Sequence, residues 1–431
     1  VQSDQLTRTL DDALLVDPED SERSVVDFLR ATPGRLALLA VVLVAALLAI
    51  GLTASKTVSD QRGRLEMLQS HTEPLADAAQ RIYGALSLAN TTAAEAFLAG
   101  SVEPHDVRDR YDAAIGQASA GLVRASNGVS ANDIHSLELL TDLSNQLAVY
   151  TGIVATARAN NRADSPVAVA YLSESSAMMR HDVLPNAERL YRTQADAVVA
   201  AQRPDGSSRA LIASAALVFL LLLLAQVMLT RRSHRRLNPG LALASVLMAV
   251  LTVWLTAAGL ASTHASAHAR QDGSEPLDTA VTARILTQQA RADEILGLLK
   301  RGSDPFSDMR FGERTSQIGW LLDQHPVAGA ADALHGWMRF HDEIGLKLSN
   351  GDYAGAVAMA RGSGPEQSTA QFTRLDTALA DDIARLRERQ RDGIARAYTS
   401  LDALPAGALA IGVLASLAVV AGIAPRLNEY H

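Results

Sequence analysis

Two histidines four residues apart, His264 and His268, would share one side of a helix and could hold a metal ion between them. The set lacks a third ligand, so the pair reads as polar residues near a membrane surface, and neither a metal nor another cofactor is expected. His325, His335 and His341 read as surface or capping residues. Arg231, Arg232, Arg235 and Arg236 crowd one short segment. Such a patch suits anionic membrane lipid headgroups or an acidic partner, and the plainer reading is that it fixes topology. Arg81 and Arg284 are the candidates for holding a small anionic ligand, provided they face a bundle seam or the groove of a homodimer. There is no GxSxG, P-loop, HExxH or paired-carboxylate motif, so an enzyme is not expected. With no cysteine, disulfides and thiol chemistry are excluded.

What would position these residues is set by four apolar blocks. A spanning helix needs about 20 mostly apolar residues. The stretches 35–54, 210–230, 239–261 and 403–424 qualify, and apart from Arg35 at the edge none carries Asp, Glu, Lys, Arg or His. A cleaved signal peptide is not expected at the first, because a long tail precedes it. The arginine-rich loop 231–238 marks its side as cytoplasmic. Arg23, Arg30, Arg35 and Arg426 agree, whereas Arg203 and Arg209 disagree. Both termini then lie inside, as a tail at 1–34 and a short end at 425–431, in the plasma membrane. Two outer regions remain, 55–209 and 262–402. The net charge of −8 argues against a nucleic-acid partner.

The outer regions begin alike. Glu73-Pro74-Leu75 leads to Gly100-Ser101, and Glu275-Pro276-Leu277 leads at the same spacing to Gly302-Ser303; Pro104 and Pro305 follow. Ala168 to Leu172 corresponds to Ala356 to Ala360. The chain therefore reads as an internal duplication of span, outer domain, span. Scarce aromatics and apolar residues at helical spacing predict an all-α fold, with each outer region a four-helix bundle. The first has predicted helices over 55–98, 104–127, 132–159 and 167–202. The second has them over 276–301, 305–324, 328–348 and 366–401, with a short one at 353–361. Asp272-Gly273-Ser274 is predicted to interrupt the exit from the third span. Pro204-Asp205-Gly206 and Pro405 with Gly407 are the other predicted breaks. Inside the spans, Gly412 and Ser416 suit close helix contact, and Gln226, Ser245 and Thr252 suit bonds between helices.

The tail mixes Asp11, Asp12, Asp17, Glu19, Asp20, Glu22 and Asp27 with apolar residues, a composition suited to docking on a partner. The spans show no midplane ionisable residue, which argues against a transporter. Outer bundles whose end helices enter the membrane resemble the ligand-sensing domains of bacterial chemoreceptors and sensor kinases, and Leu184-Pro185 ahead of the last membrane-directed helix adds to the likeness. After its spans the chain shows no HAMP module, kinase domain or signalling coiled coil. In length, span number and paired outer domains it is similar to the actinobacterial GlnX-type membrane proteins. That resemblance implies a relay between an outer amino-acid-binding lipoprotein of the GlnH type, which takes aspartate and glutamate, and a cytoplasmic Ser/Thr kinase of the PknG type. It carries over no functional residue. The alternatives are direct small-ligand sensing and a membrane scaffold without a ligand.

Overall fold

In the computed structural model the residues described are 32–201, 207–233, 238–301, 304, 306–362, 364 and 366–428. All regular structure among them is helical. In chain order the helices are α1 (Thr32–Met67), α2 (Glu73–Leu98), α3 (His105–Gly128), α4 (Ile134–Arg162), α5 (Ala168–Met178), α6 (Leu184–Ala201), α7 (Ser207–Ser233), α8 (Pro239–Ala269), α9 (Glu275–Leu299), α10 (Ser307–Gln324), α11 (Ala330–Ser349), α12 (Tyr353–Arg361), α13 (Ser368–Thr399) and α14 (Leu404–Asn428). Residues 1–31, nearly all of the N-terminal tail, lie outside the described residues.

Contacts divide the chain into two compact units. One is built from the apolar parts of α1, α7, α8 and α14, four helices long and apolar enough to cross a membrane. Val41, Leu52, Leu217, Val253 and Leu417 are exposed on its outside, while Leu47, Leu222, Leu251 and Ala415 are buried within. Such an apolar exterior is stable only against lipid. Small residues let the backbones approach. A Cβ added at Gly412 would stand 3.0 Å from the Cα of Gly51, and one added at Gly422 would stand 2.9 Å from that of Gly240. Asn238 Nδ2 donates to the carbonyl of Gly422 at 2.8 Å. Ser245 and Thr252 do not bond between helices as expected: their hydroxyls bond back to the carbonyls of Leu241 and Met248, four residues earlier on their own helices, as that of Ser416 does to Gly412. A serine or threonine hydroxyl in a helix reaches that carbonyl without needing a neighbour.

The second unit joins 64–203 with 264–397, so the two regions that read as separate bundles share one body. At its centre α2 and α9, the equivalent first helices of the two copies, lie along each other. Thr91 Oγ1 donates to the carbonyl of Gln288 at 2.7 Å across that contact. Ala78, Ala79, Ile82, Ala85, Leu86, Ala89, Ala93, Ala94 and Ala96 are all buried. A helix apolar on most of its circumference must be covered on more than one side. The main core runs without a break from Ile82 and Leu143 to Val281, Ile383 and Leu386. The caps follow the sequence: Asp133 accepts the N–H of Ser136 at 3.1 Å, and Asp352 accepts that of Gly355 at 2.8 Å.

Among the described residues three short π-helical turns interrupt the α geometry: Leu68–Thr72, Met179–Val183 and Arg270–Ser274. Each ends two residues before a proline, namely Pro74, Pro185 or Pro276. Proline has no N–H, and its ring crowds the carbonyl four residues back, so the preceding turn widens. This corrects the expected break at Asp272-Gly273-Ser274. The chain there stays helical, in one helix from Pro239 to Leu299, just as Ala37 to Leu98 is one helix. The π turns at equivalent places in both copies support the duplication. Between Thr399 and Leu404 the chain makes a turn, at the junction expected near Pro405.

Candidate functional site

Charged side chains stitch the two copies together along the α2–α9 seam. Asp77 on α2 accepts from Arg81 at 3.0 Å and from Arg387 on α13 at 2.6 Å. Arg391 Nε meets Glu73 at 3.0 Å. Arg284 on α9 grips Asp376 on α13 with both ends of its fork, at 2.8 and 3.1 Å, and Gln288 Nε2 donates to the same carboxylate at 2.7 Å. Burial pulls the Arg387 guanidinium below its ordinary range, against the opposing effect of Asp77.

Two cavities flank this seam. The smaller, about 400 Å³, is walled by α2, α3, α9 and α13, and both arginine candidates, Arg81 and Arg284, line it. Arg124 and Arg387 line it too, with no aspartate or glutamate. The larger, about 900 Å³, is walled mainly by α2, α6, α9 and α10. Exchanging one copy for the other turns the first set of walls into the second, apart from a contribution of α13 to the larger. Their chemistry differs. The larger carries Glu73, Asp77, Glu188, Asp196, Glu275 and Asp278 beside Arg180, Arg192 and Arg387. The smaller cavity has the composition to hold an anion.

A third cluster is buried inside the second copy, on α9. Arg291 donates to Glu294 at 2.5 Å, Ser368 Oγ at 3.1 Å, the carbonyl of Ala360 at 2.9 Å and Thr369 Oγ1 at 2.7 Å. It also stands 3.5 Å from Glu95 of the first copy. Glu294 accepts further bonds from Ser368 at 2.8 Å and Trp337 Nε1 at 3.2 Å, and His341 Nδ1 lies 3.4 Å away. Burial alone would raise the Glu294 carboxyl. Arg291 and His341 outweigh it and hold the group at about 2. Next to this cluster, buried Asp293 is met by Arg310 at 3.2 Å, by Arg314, and by Arg180 of the first copy at 3.9 Å. Burial and the neighbouring Arg180 lower Arg314 to about 10.

The Glu294 site has a consequence for acid stability. Its folded-state pKa lies below the ordinary value, so its contribution is complete above about pH 4.5 and is lost as pH falls through about 2. Glu294→Gln is therefore expected to flatten the acid limb of a thermal-melt profile between those values. Equal slopes for the variant and the parent chain would contradict this.

The remaining candidates are scattered. Arg231 and Arg232 end α7, and Arg235 and Arg236 lie outside the described residues. His268 Nδ1 meets Asp272 at 2.9 Å with both side chains largely in solvent. Among the described residues, no three His, Cys, Asp or Glu side chains come together as a metal site. His335 is exposed. His325 caps α10 and pairs with Asp382 at 2.7 Å. His341 is not a surface residue: its ring stacks on Phe311. Sequence reading passed over Arg124, Arg387, Gln288 and the buried Arg291, Asp293 and Glu294. For the last three the signal is slight: they stand directly before the apolar stretch 295–299.

Residues 64–203, the first copy, match the family described as an actinobacterial sensor domain. The match supports a sensor role for this unit. No curated protein and no solved structure matches the chain.

Proposed function

We propose that this chain is a non-enzymatic transmembrane sensor of the plasma membrane that carries an extracytoplasmic cue inward. The observation that carries this reading is the sensor-domain match over a copy whose core is fused to that of its duplicate, with α2 and α9 both continuous with apolar spans. A change in how the copies pack has a direct helical route along the chain. In the finer form, which rests on the resemblance to GlnX-type proteins, the unit reads an amino-acid-loaded lipoprotein of the GlnH type. The signal passes to a Ser/Thr kinase of the PknG type through the N-terminal tail.

Two experiments test it. The chain has no native cysteine, so Ser233→Cys gives a single label site. An impermeant thiol reagent is expected to leave it unmodified in whole cells and to modify it in inverted vesicles. Labelling from outside would turn the sensor unit inward and end this reading. Cross-linking and pull-down from intact membranes is expected to recover a lipoprotein through the interspan unit and a kinase through the tail. Recovery of neither would remove the relay form.

A second reading, direct binding of a small ligand, is supported by one specific observation: Arg81 and Arg284, far apart in sequence, line one cavity between the copies.

A further inference from the structure

We infer that the arginine-lined cavity binds one compact organic dicarboxylate that also carries an O–H or N–H donor, and that this ligand bridges the two copies. The inference rests on the direct-ligand reading above.

Four guanidiniums, those of Arg81, Arg124, Arg284 and Arg387, face a space of about 400 Å³. Two carboxylates answer them: Asp77 pairs with Arg81 and Arg387, and Asp376 with Arg284. Arg391 leans on Asp77 at 3.8 Å, but its nearer partner is Glu73. Arg124 has no ion-pair partner among the described residues; its Nε donates to the carbonyl of Ala120 at 3.3 Å. Two positive charges are therefore left over at the cavity wall, and a dianion balances them.

The guanidiniums come from both copies, Arg81 and Arg124 from the first and Arg284 and Arg387 from the second. Two acid groups held apart by a short carbon chain would reach both sets. A free guanidinium fork matches a carboxylate with a pair of parallel hydrogen bonds, which the two terminal nitrogens of Arg124 can make, while Arg81 and Arg284, whose forks hold Asp77 and Asp376, each add their remaining Nη1. The volume is in the lower part of the range of about 300–1,000 Å³ usual for small-molecule sites.

A separate observation points to a ligand. Gln288 lines the same wall and is 3 % exposed, and its Oε1 has no hydrogen-bond partner among the described residues. Its amide nitrogen is already used on Asp376. A buried acceptor left without a donor is costly. A hydroxyl or ammonium on the ligand would satisfy it.

Gly84 supplies a clean way to close the cavity. It lines the wall, and a Cβ added there meets nothing within 4 Å. Leucine at this helical position fills the ligand's space while favouring the helix. Arg124→Gln removes one cavity charge without stranding a carboxylate.

The test is titration calorimetry on the full chain in lipid nanodiscs, with malate as the probe and succinate, inorganic phosphate and acetate as comparisons. Malate is expected to bind once per chain, succinate more weakly, and phosphate and acetate roughly tenfold or more below malate. Arg124→Gln and Gly84→Leu are each expected to weaken malate roughly tenfold or more, with the ligand-free melting temperature held. Malate binding that ignores both variants would leave direct sensing standing but overturn this site. Acetate or phosphate binding as tightly as malate would overturn the bridging dicarboxylate. No binding by any of the four would overturn the site and the direct-ligand reading together, while the relay form is judged separately by the pull-down.

Discussion

Arg291→Met is expected to destabilise the interspan unit by about 3–5 kcal/mol, the cost of leaving a buried carboxylate without its partner. The side chain of Arg291 is 2 % exposed and that of Glu294 fully buried, so water cannot take over the lost interaction. Methionine keeps much of the volume and none of the four donated bonds. Three of those bonds go to Ser368, Thr369 and the carbonyl of Ala360, so the loss also frees the start of α13 and the end of α12 from α9. Glu95 loses a neighbour too, but it keeps Arg110 at 3.1 Å. The second variant that makes the prediction sharp is Arg291→Met with Glu294→Gln. Glutamine removes the stranded charge and still offers Trp337 and Ser368 an acceptor. The double variant is expected to melt well above the single one, in detergent and followed by far-ultraviolet circular dichroism. If the single variant melts with the parent chain, the pair is not the anchor described here. If the double variant is no better than the single, the loss comes from packing and not from charge.

Much of the fold could be read from the sequence because solvation dictates it. Four uncharged runs of spanning length have no stable place in water, and the second helix of the first copy carries a clear stop at Gly128. The duplication was visible in Glu-Pro-Leu and Gly-Ser, and its structural correlate is the π turn before each proline. The merging of the copies was harder to see. A single apolar stripe would have packed α2 inside its own bundle, but the alanines of 78–96 surround the helix and invite a second neighbour. Nothing in the spacing says that the neighbour is α9.

The site divides along the same line. Arg81 and Arg284 were picked out as arginines that would matter at a seam, and the structure puts them at one. Arg124 and Arg387 come from α3 and α13, whose rotation about their axes is set by tertiary packing, so their convergence leaves no local trace. The charges of 291–294 were passed over, because a charged run on a helix is normally a solvated face. Here the second copy places Arg291, Asp293 and Glu294 where the first, by the spacing of the repeat, has Ala89, Thr91 and Thr92. The copies are therefore unequal at these positions, with small residues in the first and a charge network in the second, and the one seam carries two cavities of different charge.

The membrane unit yields the other large effect. Gly240→Ala is expected to disrupt the packing of α8 on α14 at the upper end of the about 1–3 kcal/mol typical of overpacking. The added Cβ would stand 2.5 Å from the Cα of Gly422 and closer still to the carbonyl oxygen of Ala418. Both obstacles are backbone, so no rotamer change relieves them and the helices must part. Parting them also stretches the bond from the buried Asn238 to the Gly422 carbonyl. Gly259 on the same helix is the control, since a Cβ there meets nothing within 4 Å. Gly259→Ala is expected to be neutral or slightly stabilising, because alanine is the better helix former by about 1 kcal/mol. Both substitutions add one methyl group, so a difference in detergent melting temperature between them isolates the close approach of the backbones. Coincident melts would mean that α8 and α14 are not held by the glycine contact.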